Sequence, residues 1–255
     1  IEPRCYGCGR CLPICPHGKI TARTHQLTPA EAMDLLAATA ATTGIDAIEI
    51  HTQPGRVAEF FRLWQAIAPA YSQSSKYPLR LLAVSCPDGV DLIDYQQTLY
   101  GLIRAQWSGP LVWQTDGRPM SGDIGAGTTR ASVRLARKVL AAGPPGYIQL
   151  AGGTNQHTVS KLHLQGLLAT PRRSSASRSV AGVAYGSYAR AQLAPIFARL
   201  VEFEALTGMG EAQAGALVSL ETVPELLWQA VATATTLVSQ LKTSQTTCTA
   251  LHDRP

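Results

Sequence analysis

Apolar and polar positions along this chain follow two periods that take turns. Short runs rich in β-branched, aliphatic or alternating residues, at 47–52, 79–86, 111–115, 147–151 and 180–185, read as strands. Each is followed by a stretch with apolar residues three and four positions apart, at 56–71, 90–105, 128–142, 157–168 and 189–206, which reads as a helix. Ile48, Glu49, Ile50 and His51 show the strand alternation most plainly. Strands that alternate with helices form βα units, and consecutive βα units form a parallel sheet. Such a series suits a barrel or a doubly wound sheet. Polar residues and glycines crowd the points where the strands run into loops, and this favours the barrel, whose ligand loops lie at that end. The expected fold class is α/β, a partial (β/α)8 TIM-like barrel of about five βα units.

The pattern also sets the ends. Thr28, Pro29, Ala30 and Glu31 make a capping box with proline just inside the helix start, and the helix they open runs to Ala41 and stops at Gly44. Thr222, Val223, Pro224 and Glu225 cap a last amphipathic helix to about Lys242, and the tail to Pro255 reads as disordered. Residues 170–179 are polar, basic and low in complexity, as in a mobile surface insertion. Arg130, Arg134, Arg137 and Lys138 repeat along one helix face, which reads as solvated surface or as a docking face. The expected domains are 1–22, 23–210 and 211–255.

The first of these segments carries the most specific chemistry. Cys5, Cys8, Cys11 and Cys15 are followed at once by Pro16, the spacing of the bacterial ferredoxin run that holds a 4Fe-4S cluster. Thiolates are soft ligands suited to iron bound to sulphide. Gly7 and Gly9 suit a tight turn around it. A zinc site or a disulfide framework is the other reading of four close cysteines. In two-cluster ferredoxins the fourth cysteine serves the other cluster. Only Cys86 and Cys248 remain, so either all four N-terminal cysteines hold one cluster or a partner run for a second cluster lies upstream. The chain opens without Met and within five residues of this run, so it reads as the C-terminal part of a longer protein, with three further barrel strands before Ile1.

Composition narrows the classes. With 255 residues, 45% hydrophobic and 15% charged, the chain is long enough for a large core. No stretch has the unbroken apolar length of a membrane helix. A net charge of +5 raises the question of nucleic acid, but the basic residues are scattered and aromatics are 6%, so no nucleic-acid partner is expected. Reduced thiolates and the absence of a signal sequence point to the cytoplasm.

The strand ends supply the remaining candidates. In a barrel, the loops after the last two strands bind phosphate through backbone N–H groups, and Gly152, Gly153, Gly186 and Ser187 have that character, although tight βα turns need glycine too. The stretch 114–127 carries Asp116, Arg118, Asp123 and several glycines; it reads as a site lid, or as a loop anchored by an Asp116–Arg118 pair. Cys86 is a redox thiol or a small buried hydrophobe, and His51 a general base or a satisfied strand-end histidine.

With these residues collected, the chain resembles the cyanobacterial light-dependent period protein family, LdpA, over residues 1 to about 242. The resemblance rests on residues 4–16, 46–53, 114–125, 149–155 and 184–190. It implies an iron–sulphur protein that reports redox state, set by photosynthetic light, to the circadian clock, with clock or redox-signalling proteins as partners. The family also carries an earlier cysteine-rich stretch, which this chain lacks, and the 170–179 insertion departs from its pattern. The expected function is thus a redox-sensing regulator that needs no catalysis. The alternative from the residues themselves is a flavin-dependent iron–sulphur oxidoreductase holding FMN at the glycine loops. Whether the protein is an enzyme stays open at this point.

Overall fold

The computed structural model describes residues 12, 15–21, 27–43, 45–71, 79–117, 129–169, 178–207 and 218–249. By internal contacts the chain divides into two units, residues 1–44 and 45–255. In the first unit, α1 spans Pro29–Thr43. Its start is the reciprocal box read from the sequence: the Thr28 N–H donates to Glu31 Oε2 at 2.7 Å, and the Glu31 N–H donates to Thr28 Oγ1 at 3.2 Å.

The second unit alternates strand and helix: β1 (Ala47–His51), α2 (Val57–Ile67), β2 (Leu81–Pro87), α3 (Leu92–Arg104), β3 (Leu111–Asp116), α4 (Thr129–Ala142), β4 (Tyr147–Ala151), α5 (Thr158–Leu164), β5 (Val180–Val183) and α6 (Ser187–Thr207). All pairings are parallel, and the five strands stand in chain order, β1 to β5. A doubly wound sheet needs a reversal of strand order, and these strands show none. Right-handed crossovers between sequential neighbours put the connecting helices on one face. The described strands form a sheet with β1 and β5 at its two edges, so the architecture shown is mixed α/β with a five-stranded parallel sheet; closure into a barrel is not part of it.

The core lies between sheet and helices. Ile48 and Ile50 pair in register with Leu82 and Val84, Val84 with Trp113, and Trp113 with Ile148. Leu82, Val84, Trp113 and Leu150 are fully buried, as are Trp64, Leu92, Leu99, Ile103, Ala136, Val139 and Leu162 from the helices. The Trp113 indole N–H donates to the Pro145 carbonyl at 3.1 Å, and Gly146 takes φ 142° against the ring, where a Cβ would meet it at 2.9 Å.

Several ends differ from the pattern. The helix expected over 157–168 stops at Leu164, because Gly166 turns left-handed at φ 61° and its N–H returns to the His163 carbonyl. Leu168 then bridges Val180 at the sheet edge. Thr222 does not cap the last helix: it closes a short 3₁₀ turn (Leu220–Thr222) with its hydroxyl on the Ser219 carbonyl, and α7 begins at Pro224. α7 continues to Thr249, well past the expected end near Lys242; residues 250–255 lie outside the described ones. α6 and α7 pack through Ile196, Leu200, Leu226 and Ala230. Most of the 170–179 insertion is also outside the described residues, but Arg178 is anchored: it donates to the Gly143 and Pro144 carbonyls, both at 2.7 Å, and so caps the end of α4. Lys138 reaches Asp88 at 2.8 Å, which takes it out of the free basic stripe.

Candidate functional site

The thiol of Cys15 sits in a turn built for a negative sulphur. Pro16 has no N–H to offer, and the chain then folds back, with the Gly18 N–H on the Cys15 carbonyl at 3.2 Å and Gly18 at φ 59°. The backbone N–H groups of His17, then of Ile20 and Lys19, favour the charged sulphur and hold the thiol's pKa below the ordinary value. Amide donors around a cysteine sulphur stabilise a thiolate, the form that binds iron, and are among the groups that tune a cluster's potential. Cys15 therefore fits an iron–sulphur ligand. Cys5, Cys8 and Cys11 lie outside the described residues.

A second arrangement lies at the carboxyl ends of β1, β2 and β3. Alternation puts Glu49, His51, Ser85, Gln114 and Asp116 on the face opposite Ile50, Val84 and Trp113. They form one network. Gln114 Nε2 donates to Glu49 Oε1 at 2.5 Å, His51 Nε2 lies 3.1 Å from the same oxygen, and His51 Nδ1 lies 4.0 Å from Asp116 Oδ2. The Ser85 hydroxyl donates to Asp116. Ser85 and Gln114 are buried, while His51 is open to solvent. A cavity of about 370 Å³ opens beside His51, floored by Ile50, Phe60 and Leu63 and rimmed by Arg56 and Glu59, which pair at 3.0 Å. Three adjacent strands thus converge two carboxylates, an imidazole, a hydroxyl and an amide, a set able to pass a proton or to hold a donor-rich ligand.

The glycine candidates have defined tasks. Gly152 and Gly153 take φ of 68° and 85°, and their carbonyls accept from Ser132 and Thr129 at the start of α4, the latter at 3.1 Å. The loops after β4 and β5 are tied together by Thr154 Oγ1 on the Ala184 carbonyl at 2.5 Å and by the Tyr188 hydroxyl on Gln156 at 2.8 Å. Gly186 precedes α6, which Ser187 begins, and the Ser187 hydroxyl accepts from Arg190 at 3.0 Å. All four candidates therefore stand at the same end of the sheet, at adjacent strand ends.

Comparison with known proteins now adds to this geometry. The model of the light dependent period A C-terminal domain matches residues 39–240, and that of the LdpA Fe-S cluster-binding domain matches residues 1–26. The chain belongs to the light dependent period A family. Light dependent period A of Synechococcus elongatus is 47% identical over 243 residues, covering 94% of this chain and 60% of the relative. The chain thus spans about 60% of that relative's length. No solved structure matches.

In this family member the Fe-S-binding match takes in all four cysteines of the ferredoxin run, and the C-terminal match takes in the whole sheet and its polar strand ends. Cys86 plays the apolar part: it is 1% exposed, and burial, with the Asp116 and Asp88 charges nearby, pushes its thiol up to about 12. Asp116 is not tied to a described cation; its partners are Ser85 and His51, and Arg118 lies outside the described residues. Sequence reasoning singled out His51 and Asp116 near strand ends but did not join them to each other or to Glu49, Ser85 and Gln114. The missing signal was the parallel register, which sets Ser85 beside both His51 and Gln114. Among the described residues, no helix is long and apolar enough to cross a membrane.

Proposed function

We propose that this protein is an iron–sulphur redox-sensing regulator that relays light-dependent redox state to the circadian clock through protein partners in the cytoplasm. The observation that carries the reading is the amide-lined thiol of Cys15 within a segment matched by an Fe-S-binding domain. The name of the Synechococcus relative supports the clock context. Cys5, Cys8, Cys11 and Cys15 are the proposed ligands of one 4Fe-4S cluster, which supplies one-electron chemistry when bound. The chain's own part is to present thiolates, to donate N–H groups to them, and to shield or expose the surface that partners read. Lys19 beside Cys15, with Arg4 and Arg10 in the sequence, favours the more negative reduced form by Coulomb attraction.

We further propose that the sheet is an arc of a (β/α)8 barrel completed by the part of the family protein that this chain does not span. Chain-order parallel strands with one-sided helices support it. Phosphate binding at Gly152, Gly153, Gly186 and Ser187 is proposed on the same grounds, since these residues occupy neighbouring strand ends. A visible spectrum of anaerobically purified full-length protein, with metal analysis of the same sample, tests the iron–sulphur reading. A broad cluster shoulder that bleaches on reduction supports the sensor, whereas resolved flavin bands or zinc in place of iron overturn it.

A further inference from the structure

The basic residues are spread along this chain, but the acidic ones are not. Residues 129–201 contain no aspartate or glutamate, although the chain has 17, and they hold ten of its 22 lysines and arginines. Several of these cations have a task within the fold. Lys138 pairs with Asp88 at 2.8 Å, Arg199 pairs with Glu225 at 3.2 Å, Arg178 caps α4, and Arg190 donates to the Ser187 hydroxyl. Arg130, Arg134 and Arg137 of α4 are exposed, and among the described residues no carboxylate pairs with them.

Spacings of four and three place the three guanidinium groups on one side of α4, along about 10 Å of its length. This placement works against the helix itself. Like charges three and four residues apart repel, and Arg130 stands in the first turn, where the helix dipole favours an anion. α1, α2, α3 and α7 each carry a carboxylate in that turn, from Glu31, Glu59, Asp94 and Glu225, and α4 carries none. The row therefore calls for anions that the described part of the chain does not supply.

Arginine suits carboxylates in particular, since its planar fork donates two parallel N–H groups to one carboxylate. The rest of α4 narrows the partner further. The helix has no aromatic residue on which a base could stack, and none of its large apolar side chains is exposed to enter a membrane: Val133, Leu135 and Val139 lie in the core. A second copy of this chain is a poor match too, because no described helix carries more than two acidic residues.

We propose that the solvent face of α4 is a docking surface for an acidic helical segment of a protein partner, whose carboxylates pair with Arg130, Arg134 and Arg137. Carboxylates at the same spacings on one side of a helix match the row of guanidinium groups. This rests on the reading that the protein acts through protein partners, to which it adds a surface and a charge, and it does not depend on the cluster. Exposed ion pairs are individually weak and are screened by salt, so the surface suits a partner that binds and leaves.

The test uses the whole chain and a fluorescently labelled, alanine-rich helical peptide with Glu at spacings of four and three along one side, beside the same peptide with Gln in those places. Fluorescence anisotropy at low salt should show saturable binding of the Glu peptide and at least about tenfold weaker binding of the Gln peptide, as expected for the loss of three exposed ion pairs. Arg134→Gln combined with Arg137→Gln should weaken binding of the Glu peptide about fivefold. Arg62→Gln combined with Arg80→Gln makes the same change of charge at exposed positions elsewhere and should weaken it less than about twofold. Iron content measured on the same samples reports the cluster by itself, so a failed docking face is told apart from a failed iron–sulphur reading. No saturable binding of the Glu peptide, equal losses in the two double variants, or tighter binding of the intact chain to vesicles of phosphatidylcholine and phosphatidylserine or to duplex DNA than to the Glu peptide would overturn the proposal.

Discussion

Cys15 and Cys86 are the same residue held in opposite ways. At Cys15 the backbone N–H groups of His17, Ile20 and Lys19 converge on the sulphur and favour its charged form. At Cys86 the helix-facing side of β2 buries the sulphur and favours the neutral thiol. A cysteine is a metal ligand or a core hydrophobe according to whether donors or hydrocarbon surround it, and each arrangement follows from the local chain. Pro16 and Gly18 shape the first; the alternation of Leu82, Val84 and Cys86 dictates the second.

Three experiments press on that contrast. The largest effect is expected in thiol alkylation of a variant with Cys5, Cys8, Cys11 and Cys248 replaced by Ser. Cys15 should react at least about 10³-fold faster than Cys86 in the native state near neutral pH, since the Cys15 thiol lies below its ordinary 9.0 while the Cys86 thiol is pushed up to about 12. Comparable rates would break the comparison.

Next is the pH dependence of stability. The Cys86 thiol ionises near its ordinary value of 9.0 in the unfolded chain but only at about 12 in the fold, so between those values the unfolded state binds fewer protons. Stability contributed by this group is full below pH 9 and is lost as pH rises toward 12, by about 4 kcal/mol at most. The raised phenols of Tyr71, Tyr95 and Tyr185 steepen the same fall. Denaturant melts of Cys86→Ala across this range should show a shallower slope, and an unchanged slope would contradict the assignment. The smallest effect sharpens the cause. Asp116→Asn removes the charge that ranks second to burial at Cys86, so alkylation of Cys86 should quicken by less than about tenfold. A larger jump would make charge, and not burial, the dominant cause.

Much of the fold was legible because the two periods are strong. Strand positions follow from runs such as 111–115, and the helix α1 follows from Thr28 and Glu31, whose box forms as expected. What failed was local and has physical reasons. Gly166 is compatible with a helical pattern until its left-handed turn is seen, and Thr222 fits a capping box until Ser219 takes its hydroxyl. Arg178 looks like part of a basic loop, yet carbonyls at the end of α4, distant in sequence, hold it. The ferredoxin spacing singled out Cys15 as a candidate ligand, within the segment that the Fe-S-binding model matches. The polar strand-end network was not legible as a unit, since Glu49, Ser85, Gln114 and Asp116 meet only through register between strands.

The central claim rests on iron. After anaerobic reconstitution, the chain should bind about four irons, the content of one 4Fe-4S cluster. Cys15→Ser should strip most of that iron and its visible absorbance, while Cys86→Ser should leave both intact. An iron count unmoved by Cys15→Ser, or lost with Cys86→Ser in a protein that still folds, would contradict the account.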